Sequence, residues 1–153
     1  MSEVKPNLDA TDRAIIMELQ ADARRPYKTI AQKLGVSEGT VKNRVTRLTS
    51  RGIMKLEARV NPCAMPNHVA AMVGVTLKNR SHKETMAEIE QTPGVTSVWN
   101  ASGRYDLFFE IMVDSIDELH EFLFERCLGR IEGIESTESF ILLSSNTKYF
   151  KLS

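Results

Sequence analysis

The sequence predicts an α+β protein: an N-terminal helix-turn-helix module, winged-helix-like in outline, followed by a ferredoxin-like βαββαβ domain. Three observations carry this. Apolar residues recur at helical spacing up to about residue 50 and in β-branched runs from residue 69 onward. A stretch with two prolines and no regular period, Asn61-Pro62-Cys63-Ala64-Met65-Pro66-Asn67, separates the two regimes. Charge divides at the same place: residues 1–62 carry 12 Lys and Arg against 7 Asp and Glu, a net +5, and the remaining 91 carry 8 against 13, a net −5. We divide the chain accordingly into a first domain over 1–60, a linker over 61–68 and a second domain over 69–153.

In the first domain, Asp9 is placed to cap a helix, with Asp12 three residues on to complete a capping box. Ile15, Ile16 and Leu19 form its apolar stripe, and Arg24-Arg25-Pro26 ends it, since proline disfavours helical backbone in its predecessor. A second helix runs over 27–34, with Ile30, Ala31 and Leu34 inward. Gly35 can supply the left-handed turn that other residues resist. Ser37 caps a third helix over 38–50, whose buried stripe is Val41, Val45 and Leu48. Gly52 closes it, and the alternating stretch 53–60 is expected as a short strand or wing.

In the second domain, 69–77 is a strand, Ser81 to Glu84 a capping box opening a short helix, and 95–101 and 107–113 two more strands around a turn at 102–106. Ser115 to Glu118 caps a helix with Ile116, Leu119, Leu123 and Cys127 along one face, and 134–143 is the last strand. Strand–helix–strand occurs twice, which is the split βαβ arrangement. Its helices cover one face of the sheet. Strand 107–113 is apolar on both faces, so the second face should also be covered, by a partner subunit through sheet or edge contact or by a terminal segment.

The composition is globular, at 42% hydrophobic and 26% charged residues. No apolar run approaches the ~18 residues of a membrane span. Residues 1–12 lack the apolar core of a secretory signal, so the chain is expected to stay in the cytoplasm. Cys63 and Cys127 are too few and too far apart for a disulfide scaffold or a zinc site, and His68, His82 and His120 are scattered. No metal or cofactor is expected.

Residues 24–59 hold 10 basic side chains and 2 acidic ones. A basic block beside an acidic one suggests a polyanion-binding domain joined to one that avoids nucleic acid. With its apolar stripe inward, the third helix turns Glu38, Thr40, Lys42, Asn43, Arg44 and Arg47 outward, with Ser37 at its start. Such a face can meet phosphates and base edges in the major groove of double-stranded DNA. Tyr27, Lys28 and Thr29, at the start of the second helix, are placed for backbone phosphates. The alternative is a three-helix module with a merely solvated basic face.

These motifs resemble a known family. Leu8-Asp9-x-x-Asp12, Ala23-Arg24-Arg25-Pro26-Tyr27, Ile30-Ala31, Leu34-Gly35-Val36-Ser37, Val41-x-x-Arg44-Val45-x-x-Leu48 and Gly52-Ile53 look like the N-terminal signature of the Lrp/AsnC, or feast/famine, regulators. Pro93-Gly94-Val95, Gly103-x-Tyr105-Asp106-Leu107 and Gly133-Ile134-x-Ser136-Thr137-Glu138 are similar to their effector domain. Segment 61–67 departs from the pattern in lacking a Leu-Gly pair. The resemblance implies a nucleoid-associated transcription regulator built as a homodimer, assembled further into an octamer, with a small-molecule effector, an amino acid, held between dimers.

The effector residues that the resemblance carries over are Gly103, Tyr105 and Asp106. Glycine lets backbone approach a small zwitterion, and Asp106 can meet its ammonium. Thr96, Ser97, Ser136 and Glu138 are further candidates from neighbouring strands. Read without the family, the glycine turn is a hairpin turn and no more; only the resemblance favours an effector site there. Two alternatives stand beside the regulator. Siroheme decarboxylases are similar in layout, with a histidine in the turn where this chain has Gly103. An architectural protein that compacts DNA without sequence preference would use the same basic helix.

Overall fold

The computed structural model describes residues 7–127 and 130–151. Contacts divide the chain between Glu57 and Ala58 into two compact units.

The first unit is built of α1 (Ala10–Ala21), α2 (Tyr27–Leu34) and α3 (Glu38–Ser50). The Asp9–Asp12 capping box forms, with the Asp12 amide donating to Asp9 Oδ1 at 2.8 Å. α1 ends at Ala21, ahead of the proline. Gly35 takes φ +67°, and the turn drops Val36 beneath the helices, its amide donating to the Ala31 carbonyl. Ser37 caps α3 by accepting the Thr40 amide at 3.1 Å. Ile15, Leu19, Ile30, Ala31, Val41 and Val45 make the core, with Tyr27, Leu34, Val36 and Met54 around it. Glu18 ties the unit together from its edge, accepting from Arg25 and Lys33. Those two cations hold its carboxyl below the usual range, Lys33 more than Arg25, against the opposing effect of burial.

The expected wing is not there. Residues 53–59 carry no strand, and Val60 makes a lone bridge to Phe150, within the second unit. A strand needs an edge to pair with, and the described residues of the first unit supply none.

The second unit opens with a 3₁₀ turn, Pro62–Ala64, and holds β1 (Val69–Leu77), α4 (His82–Glu90), β2 (Val95–Asn100), β3 (Leu107–Val113), α5 (Ile116–Glu121) and β4 (Ile134–Ile141). The sheet order is β2-β3-β1-β4, antiparallel throughout, as the split βαβ arrangement requires. Register sets Val73 beside Phe109 and Ala71 beside Ile111. This face packs on Ile89, Leu119, Phe122, Leu123 and Ile131.

Four local expectations are corrected. The Ser81 side chain makes no cap bond; instead the Thr85 hydroxyl donates to its carbonyl. Glu118 accepts from the Asp114 amide, so only the Ser115 half of that capping box closes. Past Glu121 the chain runs as a π-helical segment, Phe122–Cys127. The wider pitch breaks the expected four-residue stripe, and Ile116 is exposed. The Cys127 side chain lies outside the described residues. β4 ends at Ile141, and Leu143 is exposed.

Among the described residues, the other face of the sheet is covered only at one end. Phe150, from the C-terminal segment, is buried with Ala70 and Met112. Met72 and Phe140, adjacent across β1 and β4, are 37% and 42% exposed. Glu110, in the centre of this face, is buried and held by Lys148 and by the Ser97 hydroxyl at 2.9 Å. Among the described residues no helix is long and apolar enough to cross a membrane.

Candidate functional site

Two groups of residues carry chemistry beyond the cores. The first is the outer surface of α3. Val41, Val45 and Leu48 are buried, which orients the helix. Glu38, Gly39, Lys42, Asn43, Thr46 and Arg47 are exposed. Ser37 and Thr40 turn their hydroxyls to each other at 2.8 Å. Tyr27, half buried, and Lys28 and Thr29, both exposed, open α2 behind Pro26, which provides no side-chain cap. That helix end carries a partial positive charge.

Arg44 and Arg47 do not simply project outward. Arg44 Nη1 donates to Asp9 Oδ2 at 2.5 Å and Asp12 Oδ1 at 2.9 Å. Arg47 Nη2 meets both oxygens of Asp12, at 2.7 and 2.6 Å. Asp12 is 1% exposed, so its carboxylate needs these partners. Arg44 above all, with the Asp12 amide next, holds the Asp9 carboxyl below the usual range; Asp9 first and then Asp12 hold the Arg44 guanidinium above its own. The capping motif was legible in sequence; its second use, as an anchor for α3, was not.

The second group surrounds the β2–β3 turn. The Ala101 amide donates to the Asp106 carbonyl and the Asp106 amide to the Val75 carbonyl, both at 2.9 Å, which pins the turn to β1. Asp106 Oδ2 accepts the Leu77 amide at 2.8 Å, and its Oδ1 stands 3.8 Å from His82 Nε2. Gly103 has φ +137°, and among the described residues nothing beyond its chain neighbours lies within 4 Å of where a Cβ would sit. The Arg104 guanidinium lies 5.5 Å from the centre of the Tyr105 ring. Tyr105 donates its hydroxyl to Glu138, which Arg104 also approaches at 3.7 Å.

Of the sequence-predicted residues, Gly103, Tyr105 and Asp106 come together with Glu138. Ser136 is nearby on β4, its hydroxyl 2.5 Å from that of Thr76. Thr96 and Ser97 are not brought to the turn. Both bond to Glu110, three strand residues beyond the Asn100–Leu107 pair that borders it. His82 was missed as a neighbour of Asp106. Its place at the start of α4, after β1, is the only sequence signal that could have pointed to it.

A helix-turn-helix with an exposed polar third helix, followed by a small α+β domain, is the layout of a two-domain DNA-binding protein. The AsnC-type helix-turn-helix domain matches residues 8–49, and the Lrp/AsnC ligand binding domain matches residues 70–150. The chain belongs to the Lrp/AsnC family of transcriptional regulators. It is 38% identical to an HTH-type transcriptional regulator of Pyrococcus furiosus over 138 residues, 90% of this chain and 93% of that one. It is 31% identical to the regulatory protein AsnC of Escherichia coli K12 over 140 residues, 90% and 91% of the two chains. Among solved structures, the leucine response regulatory protein LrpA of Mycobacterium tuberculosis superposes with a TM-score of 0.79 at 30% identity, covering 92% of this chain and 96% of that one.

Proposed function

We propose that this chain is a sequence-specific DNA-binding regulator that catalyses no reaction and whose assembly or DNA affinity responds to a small effector, an amino acid, bound at the β2–β3 turn. The observation that carries the reading is the outer face of α3: with Val41, Val45 and Leu48 buried, the helix offers Lys42 and Asn43 to solvent. These are the side-chain types that meet phosphate and base edges. Tyr27, Lys28 and Thr29, with Ser37, Glu38 and Thr40 at the start of α3, border the same surface in this reading.

Support for an amino-acid effector comes from the turn and from a relative. Gly103 leaves open space for a small zwitterion, and Asp106 Oδ1 is free of backbone bonds and can take up an ammonium. The Mycobacterium relative is named for its response to leucine. The partly open apolar sheet face around Met72 and Phe140 suits a second copy of the chain. A dimer would present two copies of α3 about 34 Å apart on one side of the duplex, and an octamer would assemble from such dimers.

The test is a thermal-shift screen of the full chain against the twenty amino acids, with light scattering on any hit. An effector that binds only folded protein raises Tm. A hit that also changes particle mass supports the reading. If no amino acid shifts Tm while DNA binding is intact, the amino-acid effector falls.

A further inference from the structure

The side chains of α3 differ in whether they are already occupied. Thr40 is bonded to Ser37, Thr49 donates to the Val45 carbonyl, and Ser50 donates to that of Arg47. Arg44 and Arg47 are bonded to Asp9 and Asp12. Among the described residues, the polar side chains of α3 left without an intramolecular partner are Glu38, Lys42, Asn43 and Thr46. At about 3.6 residues per turn, Asn43 and Thr46 lie opposite the buried Val41–Val45–Leu48 stripe, while Glu38 and Lys42 lie on one flank. Gly39 lies on the outer face as well. Among the described residues, the side-chain atom near the position of its missing Cβ is Ser37 Oγ, at 3.8 Å, so a groove edge can come up to the helix backbone there.

We propose that base selection by this chain is carried by Asn43 and Thr46, which approach the groove beside Gly39, and that Arg44 and Arg47 are positioning residues held by Asp12. The assignment rests on the DNA reading above and deepens it. The Asn43 carboxamide offers one donor and one acceptor, the pattern that matches N6 and N7 of adenine; Thr46 offers a methyl that suits the thymine C5-methyl. Arg47, the side chain most like a guanine reader, has Nη2 committed to both oxygens of a carboxylate that is almost wholly buried. Drawing it into the groove would strip a buried charge of a partner. Its bond instead ties α3 to α1.

The experiment is selection of bound sequences from a randomised double-stranded DNA pool by the full chain and its variants. Asn43→Ala and Thr46→Ala should each erase the preference at one position per half-site, a loss of about tenfold, with the salt dependence unchanged. Arg47→Gln and Asp12→Asn should lower affinity for all sequences alike and keep every preference. Arg47→Lys, which keeps a cation within reach of Asp12, should recover the affinity lost in Arg47→Gln. The assignment is overturned if Asn43→Ala and Thr46→Ala both keep the wild-type preferences, a result that decides the matter even where an arginine variant fails to fold. It is equally overturned if a folded Arg44→Gln or Arg47→Gln variant loses a base preference, and the regulator reading survives either result. Failure of the wild type to enrich any sequence would sink both.

Discussion

Tyr105 lies against Gly74 so closely that a β-carbon on Gly74 would stand 2.8 Å from the ring. The glycine is therefore the floor on which the aromatic of the β2–β3 turn rests. Phe108 and Phe140 border the ring at centroid distances of 5.3 and 6.3 Å, both edge-on. Gly74→Ala should expel the ring, break the Tyr105–Glu138 bond and cost about 1–3 kcal/mol. Denaturant unfolding reads the loss; an unchanged midpoint would mean that the ring moves aside freely.

Asp106 has two separable tasks. Oδ2 takes the Leu77 amide, while Oδ1 faces His82. Asp106→Asn can keep the backbone bond and loses the charge, so it should leave Tm nearly unchanged and remove the response to an amino acid. DNA affinity without effector should be spared. A response that persists in this variant would place the effector elsewhere.

Acid should loosen the first unit through Glu18 and Asp9. Both carboxyls are held below their ordinary values of 4.5 and 3.8, Glu18 by Lys33 foremost and Asp9 by Arg44 foremost. A group depressed in the folded state stabilises above its unfolded pKa, and that contribution is lost as pH falls through the folded one. The loss should therefore begin below about pH 4.5, where Glu18 starts to protonate in the unfolded chain. Glu18→Gln should flatten the acid limb of a Tm-versus-pH curve, and an identical limb in both proteins would contradict this origin.

Lys148→Ala should leave Glu110, 4% exposed, with the Ser97 hydroxyl as its side-chain partner among the described residues. Solvent reaches half of Lys148, which limits the cost to about 1 kcal/mol. The double variant Lys148→Ala with Glu110→Gln should regain part of it, since no unpaired charge is then buried. Additive losses in the double-variant cycle would show the two residues to be independent.

The elements most legible in the sequence were those with local causes. α2, α3, β1 and β3 begin and end where the sequence places them, because Gly35, Ser37 and the apolar periods act within a few residues. The wing over 53–60 failed because alternation describes a strand's faces and says nothing of whether an edge awaits it. The sites were legible in composition and less so in role. Arg44 and Arg47 are found by type, but their bonds reach back 32 and 35 positions to Asp12, a separation that no local pattern encodes. Thr46 was legible by the same helical period that turned Asn43 outward, since Val41, Val45 and Leu48 fix the buried face, and it was passed over. Thr96 and Ser97 were set at the turn by proximity in sequence, and the strand carried them away from it.

Val60 and Phe150 exchange both of their backbone hydrogen bonds, each at 2.8 Å. The point where the chain enters the second unit and the point where it leaves are thus about 5.5 Å apart, as in any such pair. A unit whose two ends are clipped together is closed on itself. It can be set as an insert into a surface loop of another protein, or permuted by joining its ends, without opening the sheet. The clip makes the second unit a piece of fold that should tolerate being moved whole.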